Sequence, residues 1–291
     1  MRFMKIKAIC VPCLLNRALY ETNLVDSSKA LKVLEDGCRI IGTYDLDKSV
    51  SAIVATEVHK ATYETLGTND PYKYIKTRSN KAALSLMAKA TESIENSQDR
   101  LKAAVLISII GNILDFGISS SPESPEELAE TFDELLDLGL SVDDTHKVKK
   151  YLKEGNKILY FADNCGEIVF DILLLKELKR YPIHLTYVVR GEPILTDATL
   201  DDVHELGIDK MVDEVITTGC FAVGVDYKRM GDDLRKALDD CDLIIAKGMG
   251  NYETFSETDY HPIVYLLRTK CIPVAEDMGL DLNISVAKIY E

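Results

Sequence analysis

Apolar positions in the first half of the chain recur at helical spacing. Ala30, Leu31, Val33 and Leu34 follow a capping residue at Asp26 and run towards Gly42. Residues 47–67 place Val50, Ile53, Val54, Val58 and Ala61 on one side and stop on glycine. Asp70-Pro71-Tyr72 reads as another helix start. Leu101, Ala104, Val105, Ile107, Ser108 and Ile109 predict a further helix, ending at Gly111-Asn112. Ser124-Pro125-Glu126-Glu127 is a capping box with proline in the first turn, predicting a helix to about Leu138, and a last helix ends near Leu152.

At Gly155 the period changes. Short apolar runs bounded by glycine and polar turns predict strands at 157–162, 184–189, 214–217, 242–246, 271–275 and 284–289. Helices are expected between them, at 167–180, from Thr199 to Gly207, and at 227–239. Strands alternating with helices give a mostly parallel, Rossmann-like sheet covered on both faces. The expected architecture is therefore α/β, with an all-helical region at residues 1–154 and the sheet domain at 155–291. No Pro/Gly/Ser-rich spacer separates the halves, so they are expected to share an interface.

In open α/β sheets, ligands sit outside the carboxyl ends of the strands. Three polar, glycine-bearing segments fall there: Asp163-Asn164-Cys165-Gly166-Glu167, the stretch from Arg190 to Thr199 that contains Thr196-Asp197, and Lys247-Gly248-Met249-Gly250-Asn251-Tyr252-Glu253. Each alone is more often a turn or a helix cap, Asp197 before the helix at Thr199 included. Together they make an oxygen-rich cation site. Asp163 and Asp197 offer carboxylates and Asn164 an amide oxygen, donors that suit Mg²⁺ or Mn²⁺. Gly166 and Gly248 would let main-chain N–H groups approach phosphate oxygens, and Lys247 would offset charge developing during phosphoryl transfer.

Composition narrows the partners. A net charge of −14 with no basic run argues against nucleic acid, although a metal and a few lysines can locally attract a phosphorylated metabolite. No apolar stretch approaches the length of a membrane span, and the start, with Pro12 breaking a short apolar run, reads as mature protein. Seven widely spaced cysteines in 291 residues point to a reducing cytoplasm. Nothing in the chain speaks to its oligomeric state.

The three segments, read as strand-DN-x-G-E, RG-x-P-x-x-x-DAT and KG-x-G-N-Y-E, resemble the damage-control phosphatase family. The resemblance extends to Cys10–Ala18 (CxPCxxxRA), Gly111–Gly117 (GNxxDFG) and Lys270–Ala275 (KCxPVA), and so spans most of the chain. It implies divalent-metal-dependent hydrolysis of a phosphate monoester, a sugar phosphate or damaged phosphometabolite, with Mn²⁺, Co²⁺, Ni²⁺ or Mg²⁺. By position, Asp163, Asn164 and Asp197 match the metal ligands, and Glu167, Asn251, Tyr252 and Lys270 match positions near the substrate. Thr196 departs from the pattern, where asparagine is expected before the aspartate. Lys270 poses a geometric problem, since a lysine preceding a parallel strand lies at the wrong edge of the sheet. In-line attack is expected either from water or from Asp163 itself.

Other signals are weaker. Cys10-Val11-Pro12-Cys13 has no second CxxC, and a zinc site would need Cys38 and His59; a role in the core is equally consistent. Asn112 and Asp115 share a helix face; the plainer reading is capping near Gly117, the other has this helix end shaping the pocket. The five histidines lack HxH or HExxH spacing, and His261 before Pro262 reads as loop or pocket wall. Gly248-Met249-Gly250 lacks the third glycine of a dinucleotide fingerprint, and neither a P-loop nor a G-x-S-x-G elbow is present. The competing functions are a methyltransferase binding S-adenosylmethionine in the same crevice and a non-catalytic sensor of a phosphometabolite.

Overall fold

The computed structural model describes residues 4–114, 125–256 and 258–291. Within them α1 (Cys10–Val25), α2 (Ala30–Ile41), α3 (Ser51–Leu66), α4 (Lys73–Ser85), α5 (Met87–Glu95) and α6 (Arg100–Ile110) follow one another. Then come α7 (Pro125–Leu138), β1 (Val142–Asp143) and α8 (Thr145–Val148). The remainder alternates: β2 (Lys157–Phe161), α9 (Glu167–Leu178), β3 (His184–Val189), α10 (Leu200–Leu206), β4 (Glu214–Thr217), α11 (Asp232–Asp240), β5 (Leu243–Lys247), α12 (Gly248–Phe255), β6 (Ile263–Arg268), α13 (Ile272–Met278) and β7 (Ser285–Tyr290). Ser124 and Asp115, expected to cap α7 and to flank the site, lie outside the described residues.

The local chemistry explains the helix ends. Asp99 caps α6 by accepting from the Lys102 N–H. Gly67 closes α3 in the left-handed conformation that glycine adopts without penalty. Thr199 and Asp202 form a reciprocal capping box at the start of α10, so the cap belongs to Thr199 and leaves Asp197 free for other bonds.

Among the described residues, seven strands form one sheet in the order β1-β7-β6-β5-β2-β3-β4. Every pairing is parallel except β6 with β7. Alternate strand residues supply two cores. Ile158, Tyr160, Leu185, Tyr187 and Ile245 face one way; Leu159, Phe161, Val188, Ile244 and Ala246 face the other. The first face is covered by α9 and by α6, whose Ala104, Val105, Ile107 and Ile109 enter the same core. The helical region thus packs directly on the sheet, and β1, from before Gly155, adds a strand to its edge. A smaller core, including Leu14, Val33, Val54 and Val58, joins α1, α2 and α3.

Two expected elements differ. Residues 271–275 are helical: Cys271 stands at the N-cap of α13 and Pro273 falls in its first turn, where proline is pre-organised. The β-branched Ile272 and Val274 there mimic a strand. The actual strand is the apolar run Ile263–Arg268, entered through a cis His261-Pro262 bond. Helix α11 starts at Asp232 rather than near Tyr227, because Asp226 holds a turn by accepting from the Lys228 and Arg229 N–H groups.

Candidate functional site

Neighbouring strands β2 and β5 send their chains in opposite directions across the sheet, β2 towards β3 and β5 towards β6. Their carboxyl ends therefore diverge and leave a crevice at this switch point. The loops after β2, β3 and β5 meet there.

After β2, Asp163 is buried, and its Oδ2 accepts from Asn164 Nδ2 at 2.7 Å and Asn112 Nδ2 at 3.0 Å. Asn112 also donates to Glu167 Oε2 at 2.7 Å. Gly166 takes φ +86°, and its N–H donates to Asn80 Oδ1 at 2.6 Å, so α4 is stitched to the start of α9. A β-carbon at Gly166 would come within 3.0 Å of Ser79 Cβ.

The loop after β3 is laced onto this turn. Cys165 N–H donates to the Thr196 carbonyl and Ala198 N–H to the Asp163 carbonyl, both at 2.8 Å. Asn164 and Asp197 form an antiparallel bridge. Thr196, the departure from the family pattern, donates its hydroxyl to Asn164 Oδ1 at 2.7 Å and so orients that amide. Arg190 turns inward and is 2 % exposed. Its Nε donates to Asp197 Oδ2 at 2.6 Å, its Nη1 to Asn251 Oδ1 and the Gly224 carbonyl at 2.9 Å each, and its Nη2 lies 3.7 Å from Asp163 Oδ1.

Gly248, after β5, closes the crevice. At φ +71° its missing β-carbon would sit 1.8 Å from Asp163 Oδ2, a position no side chain can occupy. Asn251 donates to the Lys247 and Ala162 carbonyls, which leaves its Oδ1 for Arg190.

Asp163, Asn164, Asp197, Glu167, Gly248 and Asn251 thus come together. Lys247 and Tyr252 are held elsewhere. The Lys247 ammonium is completely buried, 2.6 Å from Glu167 Oε1 and 2.8 Å from Asp171 Oδ1, and it donates to the Ser108 carbonyl. Asp171 in turn accepts from the hydroxyls of Tyr160 and Tyr187. Tyr252 donates to Asp277 on α13 and packs in the second core. Lys270 follows β6, which is parallel to β5, and so lies at the carboxyl edge after all; its amine donates to the Asn112 carbonyl. The expected obstacle came from placing a strand at 271–275.

Sequence reasoning gave no role to Arg190 or Asn80 and favoured a capping role for Asn112. The one available signal for Arg190 was a cation placed directly after an apolar strand.

Burial raises the proton affinity of Asp163 well above the usual carboxylate range; Asp197 and Glu167 add to the rise, while Arg190 and Lys247 oppose it. Glu167 is also raised, first by burial, against the pull of Lys247. Such crowding of acids is what a bound cation would relieve. The donor set fits a hard or borderline divalent ion: carboxylates of Asp163 and Asp197 and the amide oxygen of Asn164, with the missing side chain of Gly248 making the space that the Asp163 carboxylate fills. Among the described residues, no group of three or more His, Cys, Asp or Glu side chains is placed to hold a metal.

The family model for the damage-control phosphatase ARMT1-like domain matches residues 6–285. The chain belongs to the damage-control phosphatase family. It is 41 % identical over 290 residues to a damage-control phosphatase of Archaeoglobus fulgidus, covering 99 % of this chain and all of that one. It is 31 % identical to a damage-control phosphatase of Pyrococcus horikoshii, covering 94 % of each. The crystal structure of a DUF89 family protein from Pyrococcus horikoshii superposes with a TM-score of 0.89 at 28 % identity, covering 99 % of both chains. Membership in the damage-control phosphatases supports a phosphatase role. No described helix is long and apolar enough to cross a membrane.

Proposed function

We propose that the protein is a divalent-metal-dependent phosphatase acting on the monoester of a small phosphorylated metabolite. The observation that carries this reading is the lacing of two strand-tip loops, Asn164 bridged to Asp197 and the Asp163 carbonyl bonded to the Ala198 N–H, together with the raised proton affinity of Asp163. Mn²⁺, Co²⁺, Ni²⁺ or Mg²⁺ would be held by those three residues, and when bound supplies Lewis-acid stabilisation of phosphate oxygens.

The chain's own residues do the rest. Arg190 fixes Asp197 and Asn251 and approaches Asp163, so the carboxylates keep their spacing. Asn112 ties Asp163 to Glu167 and sets which oxygen each presents. Lys247 opposes the rise in the proton affinity of Glu167 and fixes its carboxylate, and acts through Glu167 rather than on phosphate. Gly248 brings its main chain up against Asp163 at the crevice, whereas the Gly166 N–H, expected to face phosphate, is taken by Asn80; Lys270 lies at the same edge. The attacking group is water or the Asp163 carboxylate. The seven free thiols accord with a cytoplasmic setting.

Chelator-treated protein should release phosphate from p-nitrophenyl phosphate only after one of the four ions is added back. Equal release with and without metal would exclude the reading.

A further inference from the structure

The loop that carries Asp197 contains a strained residue. Leu195 has φ +49°, in the left-handed region that is unfavourable for a residue with a β-carbon. It immediately precedes Thr196 and Asp197, and its backbone N–H points out of the loop. That N–H donates to the hydroxyl of Tyr63, on α3, at 2.9 Å. Tyr63 is 132 residues away and belongs to the helical region.

Tyr63 is itself held firmly. It is 5 % exposed, meets Phe221 edge-on with ring centres 5.4 Å apart, and packs with Tyr72 and Ile75. One helical turn earlier, His59 Nδ1 stands 2.8 Å from Glu21 Oε1, both side chains buried where α3 meets α1. Burial, with Glu21 nearby, pushes the phenol well above its ordinary range, so the group stays a neutral hydroxyl.

We infer that Tyr63 is a positioning residue for the cation site: its hydroxyl holds Leu195 in the strained conformation that aims Thr196 and Asp197 at Asn164 and Asp163. The route is short. Thr196 orients the Asn164 amide through its hydroxyl and anchors Cys165 N–H through its carbonyl, and Asp197 follows in the chain. Without the Tyr63 bond, Leu195 relaxes towards ordinary backbone angles, Asp197 loses its aim, and Asn164 loses the Thr196 hydroxyl that orients it. The helical region then acts as part of the metal site and not merely as a cover. The inference rests on the metal-dependent reading above, and its test separates the two.

The test uses the full chain with Mn²⁺ as probe, read by calorimetry, and amide hydrogen exchange on metal-free protein. Tyr63→Phe keeps the ring and deletes the hydroxyl. It should weaken Mn²⁺ binding about tenfold, the scale of one lost hydrogen bond, and speed exchange at the Leu195 amide. Tyr72→Phe deletes a second hydroxyl of the same cluster, leaves the bond between Tyr63 and the Leu195 N–H in place, and should alter neither. Unchanged Mn²⁺ affinity in Tyr63→Phe overturns the inference whatever the amide does, as does equal weakening by Tyr72→Phe. Failure of the parent protein to bind Mn²⁺ removes the metal reading itself, and that titration is read first.

Discussion

Asp163→Asn lowers metal-supported phosphate release by about 10³-fold, the scale of losing one preorganised charged group, while the metal-free protein melts at or above the parent's temperature. The two effects have one cause. Asparagine is nearly isosteric, and its oxygen still accepts from Asn112 and Asn164, so packing beside Gly248 is retained. What disappears is a negative charge that burial and the Asp197 and Glu167 carboxylates oppose. Since the folded state raises Asp163's proton affinity, its favourable contribution is complete at low pH and is lost as pH climbs through the raised value. The parent therefore loses stability over that interval when metal-free, and Asp163→Asn lacks this loss. Paired measurements of kcat and of melting temperature against pH check both halves. A melting temperature well below the parent's would mean that Asp163 serves the fold first.

Lys247→Met behaves in the opposite way. Deleting the ammonium leaves Glu167 and Asp171, both completely buried, without their shared cation. Breaking such a pair costs about 3–5 kcal/mol, which for a chain of this size lowers the melting temperature by roughly 10 °C. Asp171→Asn in the same chain should restore part of the loss, because only one carboxylate then lacks its partner. A lysine that merely touched phosphate would do otherwise: stability would hold and KM would rise. Thermal unfolding of the single and double variants decides between the two.

The parts of this site that were legible in the sequence are those set by local chemistry. Strands β2, β3, β4 and β5 are short apolar runs ended by polar turns, and the three loops after β2, β3 and β5 carry the oxygens and glycines. Strand β6 was missed because Tyr260-His261-Pro262 reads as a loop and the β-branched start of α13 resembles a strand. Arg190 stayed silent for a different reason. A lone arginine after a strand is ordinarily solvated, and only the fold brings Asn251, 61 residues on, to its guanidinium. Asn112 and Asn80 reach the loop after β2 across 51 and 86 residues. Polar contacts that distant leave no periodic trace, so the contribution of the helices could not be read from spacing.

The most direct measurement is the anomalous difference density of a crystal soaked in Mn²⁺. A single peak within coordinating distance of Asp163, Asn164 and Asp197, absent from Asp197→Asn crystals, is the predicted result. A peak elsewhere, or the same peak in Asp197→Asn, contradicts the account.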